Sequence, residues 1–198
     1  MKYSKTHLLS IVILSGLIGL ATAKDKTKPV AQMKPALLVI DIQNEYLPLM
    51  SGGDRDMALR MINGAIWLFR QKNLPVIRVY HTNPDYGPEP GTEAFEFPKT
   101  VIIKETDPKV IKNYPNAFKK TELDKLLREK GVNTVFICGL SATGCVLATY
   151  YGANELDYHT VMVKNAVMSP NEKHTEAVMS FCSTVDFETL NMILSYLP

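Results

Sequence analysis

Apolar and polar positions follow two different periods along this chain. Short, wholly or mostly apolar runs recur at residues 36–40, 74–80, 101–103, 134–138 and 158–163, the pattern of strands buried on both faces. Between them lie stripes at helical spacing. Met57, Met61, Ile62, Ala65, Ile66 and Phe69 form one within residues 54–72. Leu123, Leu126 and Leu127 form another within 121–130, with Thr121 placed to cap it. Val146, Thr149, Tyr150 and Ala153 continue the periodicity from Cys145 onward. A helix over 171–181 and a last strand and helix within 183–197 complete the reading. Strands alternating with helices predict an α/β fold. The expectation is a single-domain, three-layer αβα sandwich around a mainly parallel, Rossmann-like sheet of about six strands.

The stretch 136–154 organises the chain chemically. A buried strand runs into the small-residue segment 139–144, and a helix follows from Cys145. This order puts Cys145 at a helix N-terminus beyond the carboxyl end of a parallel strand, where open α/β sheets bind ligands. Backbone N–H groups and the helix dipole stabilise an anion there, so a thiol with a depressed pKa and nucleophilic character is expected. The alternative, Cys145 as a small core residue, stays open. Asp41 similarly ends the apolar run 36–40, where a carboxylate costs desolvation energy. It is either a working acid or a loop cap paired with a nearby cation. The second strand ends at His81. Residues 82–99, rich in Pro, Gly, Glu and aromatics, read as a loop covering a pocket.

Composition narrows the function classes. A hydrophobic share of 46% and a charged share of 21% over 198 residues are ordinary for one globular domain. Lys2, Lys5 and His7, the apolar run 8–20 and the small-x-small sequence Ala21-Thr22-Ala23 have the layout of a secretory signal peptide. The run is short for a membrane span. Expected boundaries are therefore a signal peptide 1–23, a polar linker 24–34 and a domain 35–198, acting in a bacterial periplasm or outside the cell. Losing residues 1–23 takes the 22 basic side chains to 20, against 20 acidic ones. A neutral mature chain offers no electrostatic case for nucleic acid or a membrane as partner. A small-molecule substrate is expected, and a homo-oligomer is left open. The three cysteines, Cys138, Cys145 and Cys182, cannot all pair within one chain, and none forms a Cys-x-x-Cys redox motif.

Three segments together are specific: Ala36-Leu-Leu-Val-Ile-Asp-Ile-Gln-Asn44; Lys112-Asn-Tyr-Pro-Asn-Ala-Phe118, followed by Thr121-Glu-Leu123; and the Cys145 stretch. In order and spacing they resemble the isochorismatase-like hydrolases over residues 36–181. The resemblance implies a catalytic triad of Asp41, Lys112 and Cys145. Lys104 and Lys109 lack the Ala-Phe pair at the family spacing. It also implies a cis peptide between Leu140 and Ser141, aiming the Ser141 N–H into the site. An oxyanion hole from the Ser141 and Cys145 backbone N–H groups is expected, with substrate contacts from Gln43, Tyr46, Phe118 and His81, the last a pocket or loop-anchoring residue. Metal-dependent relatives carry an Asp-x-His pair after the second strand. Here that region reads His81-Thr-Asn-Pro-Asp85, with no other His before His159, so no metal and no cofactor are expected. His174 resembles a family position but reads as a structural contact.

These residues suit thiolate attack on an amide, imide or carbamoyl carbon, with Asp41 moving protons and Lys112 holding the thiolate. The alternatives are isochorismatase-type vinyl-ether hydrolysis, which needs only the Asp, and a non-catalytic small-molecule-binding protein on the same fold. Specificity is expected from loop 82–99 with Tyr46. Tyr86, Phe95 and Phe97 would supply walls for a small neutral amide or imide. Arg78 is placed either to meet a carboxylate or to face away from the pocket.

Overall fold

The computed structural model describes residues 32–197. The signal peptide expected at 1–23 and most of the linker lie outside them. Among the described residues no helix is long and apolar enough to cross a membrane. The elements, in chain order, are β1 (Pro35–Ile40), α1 (Gly52–Gln71), β2 (Val76–His81), β3 (Lys109–Lys112), α2 (Leu123–Glu129) and β4 (Thr134–Leu140). They continue as α3 (Leu147–Glu155), β5 (His159–Met168), α4 (Glu172–Phe181), β6 (Thr184–Val185) and α5 (Phe187–Ser195). All six strands are parallel, in the order β3-β2-β1-β4-β5-β6.

β1 and β4 are buried along their whole length, as central parallel strands covered on both sides must be. Side-chain alternation then sorts the core into two layers. Leu37 and Val39 of β1 face Ile62, Ile66 and Phe69 of α1 and Leu190 and Leu194 of α5. Ala36, Leu38 and Ile40 face Leu123 and Leu127 of α2, Tyr150 and Ala153 of α3, and Val178 of α4. The three-layer αβα expectation holds. α4 and α5 start where side-chain oxygens accept backbone N–H bonds: Asn171 from Lys173 (3.1 Å) and Asp186 from Thr189 (2.8 Å).

Several expectations are corrected. Residues 101–103 form no strand, because their backbone groups are taken by side chains of α1. The Ile102 N–H donates to Asn63 Oδ1 at 2.9 Å, and the Ile102 carbonyl accepts from Arg70. The third strand is instead Lys109–Lys112, whose residues alternate out, in, out, in. Met57 lies outside the buried stripe of α1 at 42% exposure. α2 begins two residues after Thr121, whose hydroxyl accepts from the Leu123 N–H at 3.2 Å without being the cap residue. β5 runs on to Met168, past Asn165, which takes a positive φ of 59°. Phe95 and Phe97 are buried core residues, Phe97 also bordering a cleft with Arg78 and Lys99. They stack on Tyr80 with centroids at 4.9 and 4.3 Å, inside the α1-side core. Arg78 is engaged by the loop backbone, donating to the carbonyls of Asp107 (2.9 Å) and Glu105 (2.7 Å).

One glycine holds the two central strands together where β1 gives way to Asp41. Gly139, near the end of β4, has φ +122°, and a Cβ there would meet the Ile40 carbonyl oxygen at 2.1 Å. Only glycine lets β4 lie against the β1 residue that precedes Asp41. Gly139→Ala should cost more than about 4 kcal/mol or prevent folding, read from soluble yield and urea unfolding. A near-wild-type midpoint would show that the strands separate there at little cost.

Candidate active site

Four adjacent strands each deliver one residue to a single point at their carboxyl ends. Asp41 follows β1, His81 ends β2, Lys112 ends β3, and Cys145 follows β4. Asp41 takes φ +55°, a left-handed conformation that Asp tolerates better than most residues. Lys112 occupies an inward position of its short edge strand, after Val110, so its ammonium is carried into the protein rather than to solvent. It is 1% exposed and Asp41 is 2% exposed.

The Lys112 ammonium is the hub. Its Nζ lies 2.8 Å from Asp41 Oδ2, 3.0 Å from His81 Nδ1 and 3.1 Å from Cys145 Sγ. An ammonium has three N–H donors, and all three have acceptors here. Asp41 Oδ1 is buried and has no hydrogen-bond partner among the described residues. Cys145 Sγ and the Asp41 carboxylate lie within 4.8 Å of each other. The Leu140–Ser141 peptide is cis, as the resemblance implies. Beyond it a wide turn, Ala142–Val146, has a non-helical Gly144 (φ −117°, ψ −109°) before α3 begins at Leu147. Cys145 therefore sits in a distorted lead-in turn, not in the first turn of a regular helix.

That placement changes the expected electrostatics. Burial, and then the neighbouring Asp41 charge, push the Cys145 thiol up to about 12, outweighing the Lys112 charge that pulls it down. The expected depressed pKa is overturned: in the free protein the thiol keeps its proton. Burial also raises Asp41 above the usual carboxylate range, against the lowering effect of Lys112. Burial and the Lys112 charge lower His81 to about 4, so its imidazole is neutral at physiological pH. The signs of these shifts can be tested. Asp41→Asn removes a charge that raises the thiol and leaves Lys112 to lower it. Alkylation of Cys145 by iodoacetamide at pH 8 should then speed up, roughly tenfold per unit of pKa lost, while hydrolysis falls. Slower alkylation would mean that Asp41 activates the thiol already in the free protein.

The other sequence-derived residues divide. Gln43 is fully buried, and its amide is occupied by the His81 backbone: Nε2 donates to the carbonyl at 2.9 Å and Oε1 accepts from the N–H at 2.7 Å. It extends the strand pairing and fixes His81. Tyr46 packs edge-on to His81, with centroids 6.1 Å apart. Phe118 is not brought to this cluster. It stacks on Tyr158, which precedes β5 at the amino ends of the strands, with centroids at 5.7 Å. His174 is exposed on the first turn of α4. Missed in the sequence was Asn116, which packs so closely on Gly152 of α3 that a Cβ there would meet its amide nitrogen at 2.2 Å. Together with the bond from the Ala117 N–H to Thr149 Oγ1 (3.0 Å) it seats the segment after Lys112 against α3.

Known proteins resemble this chain in sequence and fold. Residues 35–185 match the isochorismatase domain model. The isochorismatase family protein YddQ of Bacillus subtilis is 34% identical over 139 residues, 68% of this chain and 77% of its own. The maleamate amidohydrolase of Pseudomonas putida is 28% identical over 72% of this chain and 75% of its own. The crystal structure of N-carbamoylsarcosine amidase from Thermoplasma acidophilum superposes with a TM-score of 0.68 at 24% identity. It covers 79% of this chain and 98% of that one. The α/β fold and the matched domain thus define an isochorismatase-like hydrolase. The chain belongs to the isochorismatase family.

Proposed function

We propose that the protein hydrolyses the C–N bond of a small amide, imide or carbamoyl compound through a thioester on Cys145. The observation that carries this reading is the Lys112 ammonium bound at once to Asp41 and Cys145, with Asp41 Oδ1 left open. As sulfur attacks the carbonyl carbon, the thiol proton passes to Asp41, and Lys112 holds the negative charge on sulfur. A carboxyl raised by burial retains that proton long enough to give it to the departing nitrogen. Water then attacks the thioester, losing a proton to Asp41; the C–S bond breaks, Asp41 returns that proton to the Cys145 sulfur, and the acid leaves. The backbone N–H groups of Ser141 and Cys145 are assigned to the oxyanion, at about 3 kcal/mol per donor.

Asp41, His81 and Cys145 are metal-ligating types with donor atoms within 4.8 Å of one another. Each already contacts the Lys112 ammonium, which a divalent ion would have to oppose. The donor set does not fit a metal, and the proposed reaction uses none. Vinyl-ether hydrolysis is the second reading, favoured by the raised Asp41; it leaves the Lys112–Cys145 contact without a role. The names of the maleamate and N-carbamoylsarcosine relatives support C–N chemistry here. With residues 1–23 read as a signal peptide, the proposed place of action is outside the cytoplasm. The test is a screen of residues 24–198 against amides, imides, carbamoyl compounds and vinyl ethers, with and without a chelator. C–N turnover insensitive to chelation is expected. Turnover of vinyl ethers alone would overturn the proposal.

A further inference from the structure

Two hydrogen-bonding groups at this site have no use in the proposed chemistry. The first belongs to His81. An ammonium can only donate, so the contact from Lys112 Nζ at 3.0 Å requires Nδ1 to be the bare nitrogen. The proton of the neutral ring is therefore on Nε2, and that N–H makes no hydrogen bond among the described residues. The ring cannot readily turn to change this. Its backbone is clamped on both sides by the Gln43 amide, and its Nδ1 by Lys112. The second group is the Tyr46 hydroxyl, which is buried with no partner among the described residues. The Asp41 charge acts on it, and its ring packs on His81, so it lies beside the same point. The Tyr46 and His81 rings pack edge to face at 62°. Leaving a buried hydroxyl unpaired is costly in a folded protein, and a ligand acceptor relieves that cost.

The geometry points to a two-donor subsite: Tyr46 O–H and His81 Nε2–H grip an acceptor oxygen of the substrate that lies outside the scissile bond. This rests on the hydrolase reading and narrows its substrate to one carrying a second carbonyl beside the amide, as an imide, acylurea or oxo-amide does. Each donor lost leaves that oxygen unpaired in a desolvated site, so the subsite discriminates against the analogue that lacks it.

Binding in the Cys145→Ala protein reads this without any turnover. NMR titrations compare butanamide with 3-oxobutanamide, and pentanamide with 4-oxopentanamide. In at least one pair the oxo-amide should bind about tenfold tighter, the effect of one to two hydrogen bonds. Adding His81→Asn keeps an acceptor toward Lys112 but removes the donor at the ε position, and should bring the ratio toward one. His81→Gln, which carries a donor to the ε position, should retain most of it. Tyr46→Phe should lower the ratio while leaving the melting temperature unchanged or raised, because an unpaired buried hydroxyl is removed. Imidazole 15N spectra, with the His81 signals assigned by their loss in His81→Asn, should show bare Nδ1 and protonated Nε2. A ratio of one in both pairs, ratios indifferent to the His81 and Tyr46 changes, or the Nδ1-protonated tautomer would overturn the subsite. An absence of amide turnover by the unaltered protein, with the binding ratios intact, would instead count against the hydrolase reading alone.

Discussion

Cys145→Ala is expected to lower kcat on a confirmed amide substrate by roughly 10^4-fold or more, the scale on which nucleophile removal acts in covalent hydrolases. The same change should move stability by less than about 1 kcal/mol. The reason lies in the packing. Cys145 is half-buried in a distorted turn, its sulfur accepts one of three Lys112 N–H bonds, and Asp41 and His81 still hold that ammonium when the sulfur is gone. Measuring kcat and the urea midpoint on the same preparation separates the two effects. Retained turnover with an intact fold would transfer the chemistry to Asp41 and favour protonation of a vinyl ether.

Lys112→Met should do the reverse, harming both fold and chemistry. Lys112 and Asp41 are a buried pair at 2.8 Å with side chains 0% and 2% exposed. Such a pair contributes little net stability over an apolar substitute, but removing one partner strands the other. A loss of about 3–5 kcal/mol at pH 7 is expected. Its pH dependence identifies the cause. A carboxyl whose folded pKa lies above its unfolded value destabilises the fold as pH rises through that interval, and burial raises Asp41 from 3.8 even with Lys112 present. Without Lys112 that upward shift grows, so the deficit should shrink when the pH is brought down toward 4. The double change Asp41→Asn with Lys112→Met should recover much of the stability and none of the activity. A deficit equal at pH 7 and pH 4.5 would assign it to packing of the lysine stem instead.

Asp41 was legible because it ends a wholly apolar run, and Cys145 because it follows the small-residue turn beyond another; strand ends are where parallel sheets place chemistry. Lys112 was not legible from pattern. It ends a four-residue edge strand in which Ile111, the apolar residue beside it, points outward at 41% exposure while the lysine points in. Periodicity alone reads that strand backwards, and only the resemblance singled the residue out. Residues 101–103 misled for the opposite reason: their apolar side chains suit a strand, but Asn63 and Arg70 take the backbone groups a strand would need. Phe95 and Phe97 lie in a polar loop, and nothing local indicates that Tyr80 stacks on both. The thiol pKa was misjudged because the dipole argument assumes an exposed, regular helix start. Burial beside Asp41 reverses its sign.

The central claim is a covalent bond to one sulfur, and intact-protein mass spectrometry tests it most directly. The protein is mixed with a turnover substrate, quenched in acid within milliseconds and weighed, and the labelled peptide is then sequenced. The account predicts a transient mass increase equal to the acyl group, confined to Cys145, absent from Cys138 and Cys182, and lost in Cys145→Ala. Full turnover with no acyl adduct at any quench time, in protein whose Cys145→Ala form works equally well, would contradict it.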